Sequence, residues 1–242
     1  MVEISGKYKI GTRRFGSVNW IGAWTLYKKE VLRFLIVWIQ TLFSPLITSL
    51  LFLSVLSLAI GNDRGNVLGV PFIVFLAPGL IAMQIIQQAF SHSSSSFMIG
   101  KIQGNIVDLL YAPLSAGEVT LAVTLASVTR SVLIAAISLL VFYLFIDLEI
   151  KNFTTLIVFT LLSAFSLGAL GIIAGLWAEK FDHMATVTNF IIIPLSFLSG
   201  TFYSIERLPE VLQIISKANP FFYMIDGFRY SFLGQSDGSI FF

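Results

Sequence analysis

The sequence predicts an all-α polytopic membrane protein built as one bundle, and three observations carry that reading. Of its 242 residues, 56% are hydrophobic and only 12% charged, with a mean hydropathy of +0.88. A soluble domain carries about 25% charged residues. Five apolar runs, each near the ~20 residues that a helix needs to cross a bilayer, hold a single charge between them. Finally, the basic residues crowd ahead of the first run, as they do on the cytoplasmic side of membrane proteins.

Residues 1–37 are expected to form a cytoplasmic N-terminus containing an amphipathic helix. Trp20, Trp24, Tyr27, Val31, Phe34 and Leu35 recur at three- and four-residue spacing, with Lys28, Lys29 and Arg33 mostly between them. Such a helix lies in the interface with its aromatics at headgroup depth. Residues 38–242 form the transmembrane domain. Its expected spans are Gln40–Ile60, Pro71–Phe90, Thr120–Ile146, Phe153–Ala178 and Met184–Tyr203. Pro45, Pro78 and Pro194 fall inside spans and should kink them. In the fourth span Gly168, Gly171 and Gly175 let another backbone approach closely, which serves packing inside the bundle or a dimer seam.

Orientation follows from charge. Lys7, Lys9, Arg13, Arg14, Lys28, Lys29 and Arg33 precede the first span, against Glu3 and Glu30. The N-terminus is therefore expected in the cytoplasm. Residues 91–119 and the short loop from Glu179 to His183 then fall on the same side, and everything after Ser204 on the other.

Between the second and third spans the chain reads GKIQGNIVDLLYAP, Gly100–Pro113. Ile102, Ile106, Leu109 and Leu110 share one helical face, and Lys101, Asn105 and Asp108 the other. Pro113 disfavours helix at Ala112, so a helix of about three turns is expected from after Gly100 to Tyr111. Its apolar face suits packing beneath the bundle or docking in a groove of another protein.

Arg130 is the one charge inside a span. Intramembrane charge is costly, so it should face protein or water, with Gln84, Gln87 and Gln88 as acceptors. Its role is structural or belongs to a substrate path. After Tyr203, Leu208, Val211, Leu212 and Ile215 form a stripe that Asn219-Pro220 interrupts, and Phe221 to Phe228 follow. Neither piece is long enough to span, so two half-helices packed on protein are expected, with an Asp226–Arg229 pair on the second.

Several classes are excluded or disfavoured. Net charge is only +2, so no nucleic-acid partner is indicated. With no cysteine and two histidines, no metal site is expected. His92 beside Ser93 to Ser96 is the only material for a Ser–His hydrolase, and no third orienting residue lies near it. A stand-alone ion-coupled carrier would want ionisable groups near the midplane, where only Arg130 stands. No catalytic residue is assigned, so the chain is read as no enzyme. No G-x-x-x-x-G-K-[ST] occurs, so the chain has no P-loop of its own.

Five segments, in order, resemble the permease subunit of type-2 ATP-binding-cassette (ABC-2) exporters: KEVLRFLIVWIQTLFSPLIT, FLAPGLIAMQ, NIVDLLYAPLSAGE, FDHMATVTNFIIIPLSFLSGTFYSIERLP and NPFFYMIDGFRYSFLG. The resemblance implies a homodimeric exporter permease of a bacterial-type inner membrane, with the substrate path between the two copies. A separate ATPase chain, which binds the ATP and Mg, would drive it. The helix after the second span would then be a coupling helix, carried by Asn105, Ile106, Asp108, Leu109, Leu110, Tyr111 and Pro113, with Glu179 and Asp182 in a second cytoplasmic contact. An outer gate would involve Gly200, Tyr203, Pro220, Asp226 and Arg229. The family has six spans, so a sixth is expected to begin near Phe242 and continue beyond it.

Overall fold

A computed structural model describes residues 18–64 and 66–238. The cluster Lys7, Lys9, Arg13 and Arg14, and the expected start of a sixth span at residues 239–242, lie outside them. Five of the described helical segments are long and apolar enough to cross a membrane.

Helix α1, Trp20–Ile36, opens the described chain, with the Asn19 side chain accepting from Gly22 N. Its protein-facing side is Ala23, Leu26, Glu30 and Phe34, packed on the third span. Trp20 and Trp24 are 70% and 64% exposed, which frees them for the headgroup layer. The buried Glu30 is not foreshadowed by the aromatic stripe.

The first span begins with a π-helical turn, Ile39–Phe43, and continues as α2, Ser44–Arg64. A two-residue hairpin, β1 (Asn66–Val67) with β2 (Val70–Pro71), leads into α3, Phe72–Ile102. At 31 residues α3 runs well past the expected end at Phe90. Helix α4, Ile106–Tyr111, is followed by α5, Ala116–Tyr143, and α6, Phe153–Trp177. The fifth span is composite: α7 (Phe181–Val187), a π-helical turn at Thr188–Ile192 and α8 (Ile193–Leu198). The expected half-helices are α9, Glu210–Ala218, and α10, Pro220–Leu233.

Pro45 and Pro194 have a common solution. Proline removes an N–H and its ring crowds the carbonyl four residues earlier. Those carbonyls belong to Thr41 and Phe190, and both lie in the π-helical turns, where the backbone is wider. Around Pro78, by contrast, α3 stays α-helical throughout.

Helix α3 is the centre of the bundle. Of its apolar window 78% is buried, against 28% for the first span and 17% for the fifth, so those two are peripheral. Phe75, Leu76, Ile81, Ile85, Ile86, Ala89 and Met98 are buried along α3, against α5, α6 and α10. The glycines of α6 serve this packing. A Cβ on Gly171 would lie 2.5 Å from the Phe90 carbonyl oxygen, and one on Gly175 2.8 Å from that of Ser94. The serines at 91–96 therefore belong inside α3, not in a loop. Ser93 and Ser94 are buried, small enough to admit α6, and Ser94 and Ser95 donate to carbonyls of Ser91 and His92.

Candidate functional site

At one end of the bundle the chain after α3 turns sharply. The expected three-turn helix is broken, because α3 continues to Ile102 and α4 begins only at Ile106. Gly104 supplies the turn with φ 76°, a conformation that costs glycine nothing. Lys101 is drawn away from the polar face of α4. Its ammonium donates to the carbonyls of Leu176 and Ala178, capping the end of α6.

Helix α4 is held from below. Ile106 and Leu109 pack with Leu26, Tyr27, Leu114 and Val119. The Glu118 carboxylate accepts from Ser115 N at 2.6 Å in a capping box, and from Asn19 N at 2.5 Å. Asn19 also donates through Nδ2 to the Pro113 carbonyl at 3.1 Å. The Glu118 carboxylate thus ties the start of α1 to the start of α5, and the Asn19 amide ties it to the end of the α4 loop. Glu118 went unnoticed in sequence, although S-x-x-E at Ser115–Glu118 is a capping-box signature.

The outward side of α4 is apolar. Leu110 is 76% and Tyr111 85% exposed, and Val107 is exposed beside them. Asp108 lines a groove of about 380 Å³ between α4 and α1, together with Leu109 and Pro113. Asn105 precedes the helix without a side-chain cap bond, and its Nδ2 donates to Gln103. Glu179 and Asp182 are both exposed at the start of α7, beyond the α6 end that Lys101 grips. Asp182 lies in the first turn of α7, so the expected loop is shorter than foreseen.

Arg130 reaches the nearest predicted acceptor, donating through Nη2 to Gln88 Oε1 at 2.5 Å. It lines a cavity of about 650 Å³ with Arg33, Gln84, Gln87 and Gln88. Arg33 is well satisfied: its Nε donates to Glu30 Oε2 at 3.0 Å and its Nη2 to the His92 carbonyl at 3.0 Å. The His92 ring sits 3.5 Å from Arg33 through Nδ1 and 3.8 Å from Glu30 through Nε2. Among the described residues no serine hydroxyl bonds this ring, which removes the basis of a Ser–His nucleophile.

At the opposite end, Arg229 and Asp226 are buried rather than displayed as a surface pair. Arg229 donates to the Gly200 carbonyl at 2.7 Å and stacks 4.0 Å from the Phe75 ring centroid. Its ion pair is with Asp237, at 3.9 Å, instead of Asp226. Asp226 accepts from Ser236 Oγ, Asp237 N and Gly238 N, closing the turn after α10. Burial pushes the Asp237 carboxyl above the usual carboxylate range, while the Ser204 hydroxyl and Arg229 draw it back. Gly200 takes φ 71°. Pro220 is the first residue of α10, and the Tyr203 hydroxyl donates to the Phe197 carbonyl at 3.3 Å. The five proposed gate residues thus lie in one region, where α3, α8 and α10 meet.

The described residues thus form a bundle with five membrane-length helices, an exposed short helix at one end and a buried ion-paired cap at the other. The profile of the ABC-2 type transporter family matches residues 22–233, and the chain belongs to that family. It is 33% identical over 218 residues to the inner membrane transport permease YadH of Escherichia coli K12, covering 90% of this chain and 85% of that one. It is 27% identical over 228 residues to nodulation protein J of Rhizobium leguminosarum bv. trifolii, covering 91% and 83%. The YadH likeness and the five apolar segments place this chain in an inner membrane.

Proposed function

We propose that this chain is the membrane-spanning half of an ABC exporter, working as a homodimer and driven by a separate ATPase chain that binds ATP and Mg. The carrying observation is α4: Val107, Leu110 and Tyr111 are presented outward on a helix fixed behind by Ile106, Leu109 and the Glu118 latch. Exposed apolar side chains on a rigid mount fit a cleft in a partner. Glu179 and Asp182 would add a rim contact. Lys101 joins the ends of α3 and α6, so force on either contact is shared between those helices.

In this reading α4 and the N-terminus face the cytoplasm. The two sparsely buried spans support pairing with a second copy. Leu51, Val55 and Leu58 of the first and Phe190 of the fifth point away from the bundle, and a substrate path would open between copies. Gly200, Tyr203, Pro220, Asp226 and Arg229 would close its outer end.

The test is co-purification with the cognate ATPase. Leu110→Asp should abolish retention of the ATPase while membrane insertion and monodispersity stay intact. Leu110 is chosen because Leu109 packs inward, and changing it would perturb folding. Retention of the ATPase at the wild-type ratio would refute the docking role.

A further inference from the structure

The cavity beside Arg130 holds more positive charge than the described residues compensate. Three ionised side chains stand in or directly behind its wall: Arg33, Arg130 and Glu30. Glu30 lies behind Arg33, outside the lining, and its carboxylate is engaged by the Arg33 Nε at 3.0 Å. Among the described residues Arg130 has no carboxylate partner. Its one bond among them is to the neutral Gln88 amide, and its buried Nε finds no partner there. The buried Gln87 Nε2, a second donor, is also unpartnered. A buried guanidinium facing only neutral groups is a poorly compensated charge, and unpaired buried donors are unfavourable in themselves. Both are relieved by one species, an anion with several acceptor oxygens. Guanidinium groups match phosphate in geometry as well as charge.

Position narrows the ligand. The lining runs along α3 from Gln84 to Ile99 and meets the end of α1 and the start of α2. Its upper part is therefore within a membrane span, next to the helix that carries the interface aromatics. About 650 Å³ is the size of a small-molecule pocket. Hydroxyls and amides share its wall with Phe34, Val37 and Pro45. A polar chamber opening beside apolar chain is built for an amphiphile with its head inside.

We infer that this cavity binds the phosphate-type anionic head of a membrane amphiphile, with Arg130 and Gln87 as its principal donors and Arg33 as a second, pre-paired cation. What the ligand is used for rests on the export reading. Its binding does not, because no ATPase is needed to observe it.

The experiment uses the purified full chain without the ATPase, examined by native mass spectrometry after exchange into mixed phosphatidic acid and phosphatidylcholine. Wild type should retain phosphatidic acid preferentially. Arg130→Gln should lower that preference on the order of tenfold, the equivalent of one charge-assisted hydrogen bond, and Arg130→Lys should restore part of it. Gln87→Leu, which spares the charge, should lower retention severalfold and serves if Arg130→Gln does not purify. Inorganic phosphate distinguishes the source. Displacement of the lipid by millimolar phosphate identifies the head alone as the ligand, whereas bound lipid that phosphate leaves in place makes the chain part of it. Equal retention of the two lipids by wild type, or undiminished preference in both Arg130→Gln and Gln87→Leu, would overturn the assignment.

Discussion

Replacing Arg229 with Leu tests whether the cap opposite α4 is held by its guanidinium. The side chain is fully buried, donates to the Gly200 carbonyl at 2.7 Å, lies 4.0 Å over Phe75 and faces Asp237 at 3.9 Å. A charged hydrogen bond of this kind contributes about 1.5–3 kcal/mol, and a desolvated cation–π contact about 1–2 kcal/mol. The volume that Leu refills offsets part of the loss. A net destabilisation of roughly 3–4 kcal/mol follows, in the range for breaking a buried ion pair from one side. For a chain of this length that corresponds to a fall in Tm of about 6–16 °C.

The loss should also depend on pH. Without Arg229, the Asp237 carboxyl, which burial already pushes up, loses one of the groups that draw it back, so folding raises its pKa further. A carboxyl raised by folding contributes stability that is present below its unfolded value and lost as pH rises through the folded value. The penalty should therefore be larger at about pH 8 than at about pH 5. The assay is thermal unfolding in detergent, followed by intrinsic fluorescence at both pH values. A Tm within about 2 °C of wild type at the higher pH would refute the reasoning.

Three further outcomes are expected. Gly171→Leu should be poorly tolerated, because its Cβ would lie 2.5 Å from a backbone oxygen of α3. A loss of about 1–3 kcal/mol or failure to accumulate is expected, and wild-type thermal stability would contradict the packing. Glu118→Ala removes the acceptor of Asn19 N and Ser115 N. It should lower Tm by the equivalent of about 1–2 kcal/mol and weaken ATPase retention; full retention would show that the latch does not position α4. Since the chain has no cysteine, single cysteines at the exposed Lys217 and Tyr111 can be labelled cleanly. An impermeant thiol reagent should reach Lys217→Cys but not Tyr111→Cys in intact cells, and the reverse pattern would overturn the proposed orientation.

Much of the bundle was legible because lipid makes composition decisive: uncharged runs of sufficient length have few alternatives. The glycines of α6 were legible as close-packing positions for the same reason. What they pack against was not. The serines from Ser91 to Ser96 look like a polar loop, yet in a helix their hydroxyls return to carbonyls of the preceding turn and their small size admits α6. Gly104 was read as one residue of a continuous helix, because a lone glycine does not announce a positive φ. Arg130 could be matched to a glutamine cluster by elimination of carboxylates in the spans. The Glu30–Arg33–His92 arrangement could not, because Glu30 lies outside any apolar run and its burial depends on how α1 lies against α3. Likewise, the partner of Arg229 is Asp237, eight residues on, in a turn that no helical spacing predicts.

The long α3 has a mechanical consequence. At ~1.5 Å per residue, its 31 residues make a continuous rod of about 46 Å. Near its start Gly79 lies against the Thr201 carbonyl and Arg229, and near its other end Lys101 grips α6. The wide turns accompany Pro45 and Pro194, in the two struts beside this rod, while around Pro78 the rod keeps its regular winding. Stiffness and compliance are thus assigned to different members. A push delivered at α4 would tilt the rod as one lever, reaching the Arg229 cap without bending on the way, while the struts flexed at their prolines to let it swing.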